Sequence, residues 1–247
     1  MTFDVLLESV NVLSVFATAA LVILTTKPCR ASGVPYLLAI PGGFGLMTIA
    51  FAVQSLLPFV VEQSSILASP VGAVWLLMQT YGMLFLAFAY ARRTRMRLVG
   101  ESTTASVLVG ALVTVAFLGL VLLSSSYGMI EAAPLLGEFL LRWVIVATTI
   151  YLVYETLRNW LMTQKASQGI VTIAFVFFII EQLGFILALA NLGSVPVFMA
   201  YEGRILGLFV LNIILMVRVK KDDPLAVIKR LGLAAPVHAR ALEMQLR

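Results

Sequence analysis

Scarcity narrows the chemistry open to this 247-residue chain. It has one cysteine, Cys29, so it can form no intrachain disulfide and no cysteine-based metal centre. Cys29 sits beside Arg30 at the end of an apolar run. It reads as an ordinary small loop residue, with S-acylation as the other possibility. The one histidine, His238, lies near the C-terminus. That leaves no buried pair of imidazoles to ligate haem iron, no His-rich zinc site and no base for a Ser–His hydrolase. No glycine loop of the GxxxxGK[ST] type occurs. These absences predict a protein that is not an enzyme and carries no metal or cofactor. Charged residues make up only 12% of the chain, and 61% of it is hydrophobic, with mean hydropathy +1.03. Soluble domains have about 45–50% apolar and about 25% charged residues. The first residues, MTFDVLLES, hold Asp4 and Glu8 and no base, which does not suit a cleaved signal peptide.

What is present is a succession of apolar runs. A spanning helix needs about 20 apolar residues. The runs predict seven, at about 4–26, 34–58, 71–91, 104–124, 137–160, 168–191 and 197–219. Pro58, Pro70, Pro134 and Pro196 punctuate the connections, because proline cannot cheaply continue a helix interior. Pro41, Gly42, Gly43 and Gly45 lie inside the second run and predict a kink or a close neighbour there. Tyr36, Trp75, Tyr90, Tyr127, Trp160 and Tyr201 lie near the ends of runs, where interfacial aromatic belts form.

The basic residues supply an orientation. Lys27 and Arg30 follow the first run. Arg92, Arg93, Arg95 and Arg97 follow the third, and Arg158 and Lys165 the fifth. Arg218, Lys220, Lys221, Lys229, Arg230, Arg240 and Arg247 follow the seventh. The opposite loops hold Glu62, Glu131 and Glu138 and neither Lys nor Arg. Short cytoplasmic loops are rich in Lys and Arg, so the N-terminus is expected outside and the C-terminus inside. The expected fold is an all-α integral membrane protein of the cell membrane. Its seven-transmembrane helix bundle would span residues 1–219, with a cytoplasmic amphipathic tail at 220–247. The bilayer itself is the first partner. The net charge of +5 is spread over loops near anionic headgroups and is not a nucleic-acid footprint.

Only Arg142 and Arg204 break the charge pattern, since both lie inside apolar runs. Ionisable groups there are costly and are functional candidates by default. At ~1.5 Å per residue, Glu181 falls close to mid-membrane, with Gln182 on the next face. Glu8, Asn11, Gln54, Gln79 and Glu202 fall in the outer half. Arginine cannot deprotonate, so Arg142 and Arg204 need acceptors or water. Glu181 is the deepest partner on offer, and Glu8, Glu138 and Glu202 are shallower. The spacing therefore predicts an outward-opening polar cluster with the fourth helix peripheral. The cluster is either a ligand or ion site or a structural knot; snorkelling of the arginines to headgroups is a third outcome. Near the inner side, Glu155 and Arg158 suit a surface pair. Asn212 suits an interhelical hydrogen bond. Gly203-x-x-x-Gly207 suits close packing, within the bundle or in a homo-oligomer.

After the seventh run, Asp222, Asp223 and Pro224 form a helix start. A short helix Leu225–Leu231 closed by Gly232 is expected, then a second from Pro236 to Arg247. Leu225, Ile228, Leu231, Val237, Leu242 and Leu246 make apolar faces among bases. Such faces lie on headgroups or dock a protein partner.

Weak internal similarity is also visible. Lys27–Tyr36 (KPCRASGVPY) resembles Lys165–Ile173 (KASQGIVTI), and Gln79-x-x-Gly82 resembles Arg204-x-x-Gly207. The first three and last three helices could be parallel repeats, the layout of small three-plus-one-plus-three transporters. The stretches GGFGLMTIAF in the second run, LAFAYARR at the end of the third, and a seventh run passing straight into a charged linker resemble the seven-helix sensory modules of prokaryotes, over about residues 1–220. The topology is similar to microbial rhodopsins. However, the seventh run, FMAYEGRILGLFVLNIILMVRV, holds no lysine for a retinal Schiff base. The resemblance implies a receptor-like module that binds a small ligand or ion and signals through its tail. A small transporter and an accessory subunit of a larger membrane complex are the alternatives.

Overall fold

The computed structural model describes residues 3–60, 70–96, 132–190, 194–216 and 226–233. Every element among them is helical: α1 (Phe3–Ala31), a 3-10 turn (Pro35–Leu38), α2 (Ala39–Val60), α3 (Pro70–Met96), α4 (Ala132–Thr163), α5 (Ala166–Leu189), α6 (Ser194–Met216) and the short α7 (Ala226–Arg230). The fourth run expected at about 104–124 lies outside the described residues, as do Glu62, Tyr127, Glu131, Leu225 and everything after Leu233. Thus α4, α5 and α6 are the fifth, sixth and seventh runs. All six long helices have the length and apolar composition to cross a membrane.

The first helix is longer than expected. Pro28 does not stop it, and Lys27, Cys29 and Arg30 ride on its last turns instead of a loop. The stop is Gly33, held at φ +64°, a backbone region that favours glycine. Cys29 is fully buried. Pro41 falls in the first turn of α2, where its missing N–H has no helical acceptor to lose. The expected kink is instead the 3-10 turn that precedes α2.

The six long helices form a closed ring: each packs on the next in chain order, and α6 returns to α1. Inside it lie Leu21, Phe44, Met47, Phe51, Met83, Phe175, Phe178 and Leu208. Glycines set the closest approaches. A Cβ on Gly43 would stand 2.7 Å from the Gly82 carbonyl oxygen, so α2 and α3 touch backbone to backbone. A Cβ on Gly203 would stand 2.7 Å from the Phe177 carbonyl and 2.9 Å from the Glu181 nitrogen. The Gly203/Gly207 stripe thus packs α6 onto α5 within the bundle.

Polarity is inverted relative to a water-soluble protein. Phe16, Ile23, Phe209 and Val195 are 60–74% exposed, while Arg142 and Arg204 are the largest fully buried side chains. Hydroxyls on the helices, such as Thr18, Thr25, Ser55, Thr80 and Thr149, donate to carbonyls of the preceding turn. They therefore need no other partner. The bundle has one basic end, where Lys27, Arg30 and Lys165 are exposed.

The tail departs from expectation. Val227, Ile228, Leu231 and Leu233 are buried in the core of the bundle and not spread on its surface. Asn212 donates to the Ala17 carbonyl of α1 at 3.1 Å, the expected interhelical bond. Glu155 is buried and Arg158 partly exposed, so this end of α4 is less open than a surface position. Of the aromatics assigned to interfacial belts, Tyr36, Trp75 and Tyr90 are buried and Trp160 is exposed.

Candidate functional site

All six long helices among the described residues bring polar residues to one level, in the half of the bundle away from the basic end. Its centre is the carboxylate of Glu181, on α5 and fully buried. Glu181 Oε1 accepts from Arg204 Nε of α6 at 2.7 Å and from Gln79 Nε2 of α3 at 3.1 Å. Arg204 Nη1 donates to Asn11 Oδ1 of α1 and to Gln54 Oε1 of α2, each at 2.9 Å. Gln54 Nε2 in turn donates weakly to the Tyr201 hydroxyl at 3.4 Å. The glycine-set contact explains why Arg204 reaches Glu181. Gly203 lets the α6 backbone meet the backbone of residue 181, so the next side chain along α6 lies beside the carboxylate.

Arg142 makes a second, adjoining unit. Its Nε donates to Glu138 Oε1 at 2.8 Å, one turn earlier on α4, and its Nη2 donates to the same oxygen. Its Nη1 donates to Gln182 Oε1 at 3.3 Å. Adjacent residues of α5 therefore serve different arginines: Glu181 holds Arg204, and Gln182 holds Arg142. The ring of Phe185, one turn further on, lies between the two, with its centroid 4.2 Å from the Arg142 guanidinium carbon and 5.5 Å from that of Arg204. Trp75 faces Arg142, and Phe51 and Tyr201 face Arg204. Cation–π contacts are worth about 2 kcal/mol when desolvated, so these rings help hold charges that cannot reach water.

Charge balances in each unit, one guanidinium to one carboxylate. Hydrogen bonding does not balance. Gln79 Oε1, Glu138 Oε2 and Glu181 Oε2 are buried acceptors with no protein partner among the described residues, and Gln182 Nε2 and Arg204 Nη2 are donors in the same condition. Each such group costs about 1–3 kcal/mol if left unmade. This concentration at one level sets the cluster apart from the rest of the buried surface.

Among the candidates from the sequence, Asn11, Gln54, Gln79, Arg142, Glu181, Gln182 and Arg204 come together. Glu8 is half-buried and Glu202 exposed, and neither pairs with an arginine among the described residues. Glu138, expected at the outer end of the fifth run and among the shallower partners on offer, lies within α4 and is the ion-pair partner of Arg142. Its signal was its position four residues before Arg142. Phe51 and Phe185 gave no signal, since an apolar helix shows equally apolar faces to core and lipid.

The group is a neutral, aromatic-lined, hydrogen-bonding knot with spare donors and acceptors. Comparison with known protein families, curated proteins and solved structures returned no match for this chain.

Proposed function

We propose that the chain is a receptor-like membrane module. It crosses the bilayer seven times with its N-terminus outside, and binds a small polar ligand at the knot. The observation that carries this reading is the set of unpartnered buried donors and acceptors around Arg142, Glu181 and Arg204. Their chemistry selects the ligand. The two guanidiniums are already neutralised by Glu138 and Glu181, so an inorganic anion would meet two carboxylates, and a bare cation would meet two guanidiniums. The aromatic faces are occupied by the arginines. A small molecule that is neutral or zwitterionic overall, and that both donates and accepts hydrogen bonds, complements what is left. The knot lies toward the end away from the basic residues, which positive-inside orientation assigns to the outer side.

The test is a thermal-shift series on the purified protein in detergent, using short polyols, amides and zwitterionic amino acids beside chloride, sulfate, sodium and potassium salts. A ligand that binds only the folded state raises the melting temperature by mass action. At least one neutral or zwitterionic solute is expected to do so in the wild type, and to lose the effect in Gln182→Leu. A shift with sulfate or with one cation alone would reject the ligand class. No specific shift with any solute would leave ordered water as the occupant and a structural knot as the reading.

One observation favours a small solute transporter as the second reading. Gln79 and Arg204 occupy matching places in the two possible three-helix repeats, and both donate to Glu181 Oε1. The first three and the last three of the described long helices are each consecutive in the ring, an order compatible with parallel repeats. Uptake of the stabilising solute into proteoliposomes separates transport from sensing.

A further inference from the structure

We infer that residues 226–233 form a plug at the basic end whose seating reports the state of the polar knot; this rests on the receptor reading above. The plug is seated by definite contacts. α7 packs on the end of α1 and touches α6. Val227, Ile228, Leu231 and Leu233 are each at most 4% exposed. The Tyr90 hydroxyl of α3 donates to the Leu231 carbonyl at 2.7 Å. Arg230 Nη1 donates to the Ile214 carbonyl of α6 at 2.7 Å, capping a carbonyl near the helix end. Gly232, at φ +72°, turns the chain back against the amide of Gln168 on α5. Leu233 N–H donates to the Ile228 carbonyl at 3.0 Å, the six-to-one bond of a Schellman cap.

These contacts fall on particular helices. α3 carries Gln79 in the knot and Tyr90 at the plug. α5 carries Glu181 in the knot and Gln168 at the plug. α6 carries Arg204 in the knot and Ile214 at the plug. The three helices whose side chains meet at Glu181 Oε1 all contact the plug, beside α1, roughly 15–20 Å along each at ~1.5 Å per residue. A helix of five residues has no stability of its own, so its docking depends on how those three helices are set. A ligand that draws Arg204 or Gln79 away from Glu181 shifts α6 or α3 against α5. The plug then loses its register with Tyr90, Ile214 and Gln168. By linkage, seating the plug changes ligand affinity by the same factor.

The test uses the full chain with Cys29→Ser, which leaves no other thiol. Ile228→Cys reports the plug, and Lys165→Cys at the exposed basic end is the control. Labelling by N-ethylmaleimide should be at least about tenfold slower at 228 than at 165, since buried positions react only through local opening. Gly232→Ala should bring the rate at 228 up to the control, because a Cβ there is strained and 3.3 Å from Gln168. Gln54→Ala and Arg204→Gln, at the far end of the bundle, should each raise it several-fold and leave the rate at 165 unchanged. Gln54→Ala, at a half-buried position, serves if Arg204→Gln does not fold. Leu152→Ala, a core truncation on α4, which carries none of the contacts that seat the plug, should not raise it. Equal rates at 228 and 165 in the parent would eliminate the plug. A protected 228 that ignores both knot substitutions, or responds as much to Leu152→Ala, would eliminate the coupling. Neither result touches solute binding at the knot, which the thermal-shift series reads by itself.

Discussion

Replacing Glu181 by Gln removes one charge and almost no volume, so it isolates the electrostatic role of the knot. In the native bundle Glu181 Oε1 lies 2.7 Å from Arg204 Nε, and both side chains are fully buried. Charges about 4 Å apart attract by about 4 kcal/mol at an effective dielectric constant of ~20. Desolvation cancels much of that, so the pair adds little net stability. Its removal is another matter. Arg204 stays ionised and buried, and stranding one member of a buried pair costs about 3–5 kcal/mol. Arg204 keeps Asn11, Gln54 and the ring of Phe51, which places Glu181→Gln at the lower end, about 3 kcal/mol by the same rule. For a protein of this size, 1 kcal/mol moves the melting temperature by about 2–4 °C, so a drop of about 6–12 °C is expected in detergent. The double variant Glu181→Gln with Arg204→Gln is neutral and can hydrogen-bond, and should recover most of the loss. A single variant that melts within about 1 °C of wild type, or a double variant no better than the single, would refute the claim that these charges are sealed from water and compensate each other.

Two further outcomes follow from the packing. Gly203→Ala should lower stability by about 1–3 kcal/mol, because its Cβ meets backbone that cannot give way, while Gly45→Ala, with nothing within 4 Å, should be neutral or slightly stabilising by helix propensity; thermal unfolding of both reads the difference. Asn212→Leu should cost only about 0.6 kcal/mol, the average for an interhelical hydrogen bond in a membrane bundle, and so should fall well short of Glu181→Gln in the same assay.

The long helices and the residues of the knot were legible because both rest on strong penalties. Backbone in lipid must be helical, and a charge in an apolar run must find a partner. The ~1.5 Å rise was enough to bring Asn11, Gln54, Gln79, Arg142, Glu181, Gln182 and Arg204 to one level. Which partner each would choose was less legible. Arg142 takes Glu138 from its own helix because an i,i+4 pair needs no tertiary packing. Glu8 and Glu202 stay out because neighbours on the same helices, Asn11 one turn on from Glu8 and Tyr201 directly before Glu202, already occupy the contact positions. The tail was misread for a similar reason. Ile228 and Leu231 make an apolar face that suits a headgroup layer or a helix bundle equally, and only the Tyr90 and Arg230 bonds distinguish the two. Trp75 and Tyr90 were assigned to belts because terminal aromatics are common there, yet they face inward to an arginine and to a carbonyl.

The way the two ion pairs are distributed along the chain bears on how it enters a membrane. Arg142 and Glu138 share a single helix, so α4 would enter a bilayer already self-neutralised. Arg204 and Glu181 lie on consecutive helices joined by a short connection, so α5 and α6 are best delivered together, as a hairpin. A lone Arg at a helix centre carries an insertion penalty of about 2.5–3.5 kcal/mol; pairing within the nascent hairpin would remove it before the rest of the ring closes.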